Sequence, residues 1–158
     1  MCMIYLFAGA FATVSNAMGG VDSVVNMGMS VMPPQFIAAG AFVISAFIAL
    51  ATGTSVGTVT AMTPITIGLA EAGGINTFLV VGATIGGAMF GDNLSMISDT
   101  TIAATRTQGV EMKDKFKTNF FIALPAAILT IALLLIFGRP ETAPAVVRAE
   151  FNLIKVLP

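Results

Sequence analysis

The chain has 158 residues, of which 56% are hydrophobic and only 9% are charged, and its formal net charge is −1. Soluble domains carry about 25% charged residues, so this composition excludes ordinary water-soluble packing and predicts an all-α integral membrane protein that is solvated by lipid. No basic patch of the kind that binds nucleic acid is present, and the lone Cys2 excludes a disulfide framework.

The first apolar segment covers residues 3–18 and is long enough to cross or nearly cross a bilayer, because a full span needs about 20 residues. A polar connection follows at 19–35, and it contains no lysine or arginine. Because the sequence enters an apolar segment almost at once, we expect either a piece of a longer membrane protein or a half-size one.

Two apolar arms follow within 36–71, and the sequence ATGTSVGT (51–58) joins them. An arm of about 15 residues is about 23 Å long, whereas the bilayer core is roughly 30 Å thick. We therefore predict a re-entrant helical hairpin over 36–71, with two tilted spans joined by a tight turn as the alternative. A non-helical tip at membrane depth has to be buried in protein or line a wet cavity. The predicted tip residues are Gly53, Thr54, Ser55, Gly57 and Thr58.

The predicted transmembrane domain covers residues 1–138. After the hairpin it contains a broken helix over 77–108 and a last span over 119–137, and a polar tail follows the domain at 139–158. Basic residues are densest in 106–117, whereas the 19–35 connection has none. Since lysine and arginine concentrate in cytoplasmic loops, the pattern predicts a multi-pass protein of the cell membrane with the 106–117 loop in the cytoplasm. The basic residues of this loop are Arg106, Lys113, Lys115 and Lys117.

The sequence GDNLSMISDTT (91–101) places acidic and polar side chains between two apolar stretches. A carboxylate near the bilayer centre costs roughly 2.5–3.5 kcal/mol on insertion scales, and such residues are functional by default. A continuous helix would place Asp92, Ser95 and Asp99 on one face, whereas Gly91 and its polar neighbours equally favour local unwinding. In either case oxygen ligands suited to Na⁺ converge. The candidate site residues are Asp92, Asn93, Ser95, Ser98, Asp99 and Thr100.

Asp92 and Asp99 could bind a transient Na⁺ and could also carry protons. Burial disfavours the ionised form of a carboxylate and a bound cation favours it, so Na⁺ and H⁺ would compete for the same oxygens. The chain has no histidine, which leaves aspartate or glutamate as the proton carrier that it can supply. The alternative is an extramembrane loop in which Asp92, Ser98 and Asp99 cap helices.

At these two motifs the chain resembles the NhaC-type Na⁺/H⁺ antiporters. ATGTSVGT (51–58) is similar to that family's ATGTS-x-GT element, and GDNLSMISDTTIAATRTQG (91–109) is similar to its GDN-x-S-x-ISDTT signature. The resemblance covers most of the chain, from about residue 5 to residue 137. It implies cation/proton exchange across the cytoplasmic membrane of a prokaryote, by a fold of two inverted repeats that each contain a re-entrant hairpin and an interrupted helix.

The hairpin predicted at 36–71 and the interruption predicted at 91–100 fit one such repeat, and entry of the hairpin from outside suits the C-terminal one. The resemblance therefore implies half a transporter within the lipid bilayer, with an N-terminal half as its partner in the full-length chain, and it also allows a homo-oligomer. Na⁺ and H⁺ would be transported ions, and no cofactor is expected.

Other functions stay open, because members of this class also exchange organic acids or carry amino acids. The alternatives are a Na⁺- or H⁺-coupled organic acid or amino acid transporter and a non-transporting membrane fragment or subunit. An enzyme is not expected, because the sequence shows no nucleophile–base pair, metal-ligand cluster or phosphate loop.

Overall fold

The computed structural model describes residues 17–31 and 33–139, together with positions 3, 6, 10, 13 and 14. Most of the span predicted at 3–18, and the predicted tail from 140 onward, therefore lie outside the described residues. Every regular element in the described part is a helix. The helices are α1 (Gly20–Val31), α2 (Ile37–Thr52), α3 (Ser55–Gly73), α4 (Thr77–Leu94), α5 (Asp99–Gln108) and α6 (Met112–Phe137), and a 3₁₀ turn at Pro34–Phe36 precedes α2.

Three helical segments of the described part are long and apolar enough to cross a membrane: Pro34–Thr52, Thr77–Leu94 and Met112–Phe137. The last of them exposes large apolar side chains such as Phe121 and Ile128, which is the surface that a lipid-facing helix needs. The predicted all-α membrane architecture is confirmed at this level. The re-entrant course of the hairpin and its relation to an inverted repeat stay predictions.

The α2 and α4 helices run parallel and in direct backbone contact. A methyl group on Gly87 would lie 2.8 Å from the carbonyl carbon of Phe42, and one on Gly91 would lie 2.9 Å from the backbone nitrogen of Leu50. No side chain fits at such distances, so glycine at both positions allows the two backbones to touch. Small residues four apart are a common way for membrane helices to approach closely.

The buried core around this contact consists mostly of small residues. Ala38, Ala41 and Ala83 are almost fully buried, and Phe42 packs beside Phe90 with ring centroids 6.0 Å apart. Lipid tails are as apolar as leucine, so close van der Waals packing and not the exclusion of water holds such helices together. The α4 helix is central to the described part, because it contacts α2, α3 and α6.

The α1 helix packs on α3 through two further close approaches. A methyl group on Gly28 would lie 2.9 Å from Cδ2 of Leu69, and one on Gly68 would lie 2.9 Å from Cγ2 of Val25. On the other side, α6 lies against α2 and α4, and α5 contacts α6. Both α2 and α4 therefore contact α3 as well as α6.

We expect Gly87→Ala to destabilise the protein by about 1–3 kcal/mol, the usual cost of forcing atoms into a packed interface. Gly82→Ala is the matched control, because it makes the same change in the same helix at a position with no atom within 4 Å of the added methyl group. Thermal unfolding of the two variants in detergent measures the difference. Equal melting temperatures would contradict the backbone contact between α2 and α4.

Candidate functional site

The hairpin tip consists of two residues, Gly53 and Thr54, between α2 and α3. Gly53 has a φ of 70° and its N–H donates to the carbonyl of Ala49 over 2.8 Å, which ends α2 with a left-handed residue. Thr54 is extended, and its hydroxyl accepts from the N–H of Gly57 at 3.3 Å, which caps the first turn of α3. The hydroxyl of Thr58 is buried and donates to the carbonyl of Thr54 over 2.8 Å.

The second element is a non-helical segment of four residues, 95–98, which we term the linker; it separates α4 from α5. Ser95 leaves α4 with extended backbone angles, and its hydroxyl accepts from the N–H of Ile97 at 3.4 Å. The Ser98 and Thr100 hydroxyls lie 2.8 Å apart. Ser95 and Ser98 are 2% and 1% exposed, whereas Met96 and Ile97 between them are exposed, so the two serine side chains at the ends of the linker are its buried polar groups.

The tip and the linker are in direct contact. A methyl group on Gly53 would lie 2.8 Å from Cγ1 of Ile97 and 3.1 Å from the backbone nitrogen of Ser98. The two motifs that the sequence singled out, at 51–58 and 91–101, are therefore brought together by the fold. The interruption is shorter than the predicted 91–100, since Asp92 and Asn93 belong to the last turn of α4 while Asp99 and Thr100 begin α5.

The two aspartates have different environments. Asp92 is half-buried, and its Oδ1 is fully buried with no hydrogen-bond partner among the described residues. Asp99 is exposed in the first turn of α5, where its charge suits the positive end of the helix. The described residues hold no cluster of three acidic, histidine or cysteine side chains that could bind a metal ion. A cation bound at Asp92 would therefore need neutral oxygens to complete its ligands.

A residue that the sequence analysis did not assign to the site reaches it from α6. The Lys115 ammonium donates to the backbone carbonyl of Asn93 over 2.6 Å and to the hydroxyl of Thr101 over 2.7 Å. Asn119, one helical turn later, donates from its side-chain amide to the same Asn93 carbonyl at 3.4 Å. The Asn93 side chain itself is in an exposed residue. Its backbone oxygen joins α4 to α6, and Lys115 extends this contact to α5 through Thr101.

The sequence contained one signal for Lys115 that could not be used alone. Lys115 and Asn119 are four residues apart and therefore share a helix face, but this matters only if the helix already includes residue 115. The 106–117 segment was predicted as a loop, whereas in the structure α5 continues to Gln108 and α6 begins at Met112. A left-handed Gly109, with a φ of 65°, ends α5, and this confines the connection to three residues.

Comparison with known proteins places these motifs among transporters. A family model described as the Na⁺/H⁺ antiporter family matches residues 1–139. The Na⁺/H⁺ antiporter NhaC of Alkalihalophilus pseudofirmus is 30% identical over 138 residues, which cover 87% of this chain and 30% of that protein. No solved structure matches the chain.

Two further relatives have names with other substrates. The malate-2H⁺/Na⁺-lactate antiporter of Bacillus subtilis is 31% identical over 136 residues, which cover 86% of this chain and 29% of that protein. The arginine/ornithine antiporter ArcD of Halobacterium salinarum is 26% identical over 120 residues, covering 76% of this chain and 25% of that protein. The chain thus spans only about 30% of the length of the first relatives that it matches.

We expect Gly53→Ala to be more destabilising than Gly109→Ala. Both glycines have positive φ, so both variants incur the cost of about 1–2 kcal/mol for a left-handed residue with a side chain. Only the methyl group at position 53 meets the linker, whereas Gly109 has no atom within 4 Å of an added methyl group. Melting temperatures in detergent compare the two, and equal losses of stability would contradict the contact between tip and linker.

Proposed function

Because the chain belongs to the Na⁺/H⁺ antiporter family, we propose that it forms part of a secondary transporter that exchanges Na⁺ for H⁺ across the cytoplasmic membrane. The chain spans about 30% of the length of the curated relatives, so the activity is proposed for the complete transporter. In this proposal an N-terminal half supplies the second repeat, and this chain supplies the C-terminal one. Assembly into a homo-oligomer is compatible with it.

The observation that carries the proposal is the Asp92 carboxylate. Its Oδ1 is buried without a hydrogen-bond partner among the described residues, and Asp92 lies in the last turn of α4, directly before the linker. Leaving a buried acceptor unpaired costs roughly 1–3 kcal/mol, and more if the group is charged. Binding a cation or a proton would relieve this cost, which is the property that an exchange site needs.

Neutral oxygens near the linker support a ligand set for Na⁺. The hydroxyls of Ser95 and Ser98 are in almost fully buried residues, and Thr100 lies within hydrogen-bonding distance of Ser98. At the end of α4, the Asn93 carbonyl accepts from the side chains of Lys115 and Asn119 and not from the N–H of Ile97. Interrupted helices with such carbonyls hold coupling ions in many transporters. Asp99 is the second carboxylate of this proposal, at the exposed start of α5.

Exchange then follows from competition at Asp92. A bound Na⁺ favours the ionised carboxylate and excludes the proton, whereas protonation removes the charge that holds Na⁺. If the site can alternate between the two sides of the membrane only while it holds Na⁺ or a proton, Na⁺ and H⁺ move in opposite directions. The basic residues Arg106 to Lys117 favour an orientation in which the ends of α5 and α6 that meet at Gly109 face the cytoplasm, and the hairpin then enters from outside.

A second candidate is coupled exchange of an organic acid or an amino acid. It is favoured by relatives of comparable identity whose names specify malate and lactate, or arginine and ornithine. Uptake of labelled lactate, malate and arginine by vesicles containing the complete transporter separates this candidate from Na⁺/H⁺ exchange. A membrane fragment or subunit that does not transport is the third candidate, and it predicts no uptake and no exchange.

We expect Asp92→Asn to abolish Na⁺-dependent proton movement in everted membrane vesicles that contain the complete transporter, because asparagine keeps the shape but can neither ionise nor carry the proton. Asp99→Asn should also reduce exchange. The control is Asp22→Asn, which makes the same change at an exposed position in the first turn of α1. Proton movement at the wild-type rate in both Asp92→Asn and Asp99→Asn would refute the assigned site.

A further inference from the structure

Lys115 links three helices at the proposed exchange site. From the first turns of α6 it donates to the Asn93 carbonyl in α4 over 2.6 Å and to the Thr101 hydroxyl in α5 over 2.7 Å. Thr101 is almost fully buried and Lys115 is half-buried. The ammonium is therefore held inside the helix junction, whereas Lys113 and Lys117 on the same helix are exposed.

The Asn93 carbonyl is a position that attracts cations. In a continuous helix it would accept from the N–H of Ile97, but that N–H donates to the hydroxyl of Ser95 in the linker. The carbonyl is left at the C-terminal end of α4, where the helix carries a partial negative charge. Lysine side chains commonly satisfy such carbonyls, and here Lys115 does so at the residue that directly follows Asp92.

The ammonium thus uses oxygens of the kind that a transported cation requires. A backbone carbonyl at a helix end, a threonine hydroxyl and a nearby carboxylate are the ligand types of Na⁺ in transporters with interrupted helices. Among the described residues the buried Oδ1 of Asp92 has no hydrogen-bond partner, so Lys115 acts on the carboxylate through space. A positive charge held at the neighbouring residue Asn93 opposes the binding of a second one at Asp92.

A cavity lies beside Lys115. It has a volume of about 300 Å³ between α5 and α6, and its lining includes Thr105, Gln108, Asp114, Lys115 and Asn119. The lysine lies at the boundary between this cavity and the end of α4, where its ammonium binds Asn93 and Thr101.

We propose that Lys115 is a positioning residue whose ammonium group supplies a fixed positive charge at the end of α4. There it fixes α5 against α4 and weakens Na⁺ binding at Asp92, so that the ion is released in each cycle. This inference rests on the proposed function. It adds to that function a residue of α6 that touches neither transported ion and sets the affinity of the site through its charge.

The test compares Lys115→Gln, Lys115→Arg and Lys113→Gln in vesicles of the complete transporter. We expect Lys115→Gln to lower the apparent KM for Na⁺ roughly three- to ten-fold, as removal of a unit charge from the neighbourhood of a hydrated site would do. The maximal rate should fall as well, because Na⁺ leaves more slowly. Lys115→Arg retains the charge and should restore the KM to within about two-fold, and the exposed Lys113→Gln should leave both values unchanged.

Other outcomes overturn the inference. If Lys115→Gln lowers the maximal rate but leaves the KM unchanged or raises it, Lys115 is only a structural link between helices. The inference is also wrong if the arginine and glutamine variants have the same KM. Na⁺-dependent thermal stabilisation of the purified protein measures the affinity for Na⁺ without transport. The affinities can therefore be compared even if a variant transports too slowly for its KM to be measured. A wild-type transporter without Na⁺-dependent proton movement would contradict the proposed function instead.

Discussion

The backbone contact between α2 and α4 determines where the candidate functional groups lie. Gly91 of α4 touches the backbone near Leu50 of α2, and each helix ends within one turn after this contact, at Leu94 and Thr52. Because the helices are parallel, their ends coincide, and the hairpin tip meets the linker there. A side chain at Gly91 would separate the ends and remove the junction in which the Oδ1 atom of Asp92 is buried.

The sequence predicted which residues form the hairpin tip and the linker better than it predicted where these two segments begin and end. Glycine and threonine in ATGTSVGT imply a tight tip, and the structure uses Gly53 for the left-handed turn and Thr54 as a cap. The acidic and polar residues of 91–100 implied a longer interruption than the four residues found. The helical packing of α4 against α2 keeps Asp92 and Asn93 in the helix, although their local preference is for caps and turns. The tertiary contact between α2 and α4 overrides that local preference. The contact depends on two segments that are distant in sequence, so neither segment alone predicts it.

The role of Lys115 could not be predicted for a related reason. Three lysines alternate with other residues between 113 and 117, and composition alone assigns all of them to a basic loop. Only the start of α6 at Met112 and its contact with α4 and α5 distinguish the one that points into the junction. The partner of a charged side chain is set by the approach of distant helices, since Asn93 and Lys115 are 22 residues apart.

The shortness of the hairpin tip limits how the protein can move. Gly53 and Thr54 are both held by hydrogen bonds to the helices that they join, so the connection has no slack. Sliding of one arm along the other would therefore unwind a helix end. Motion of the two arms then involves whole helices, and such collective displacements take microseconds to milliseconds, whereas loop fluctuations take nanoseconds to microseconds.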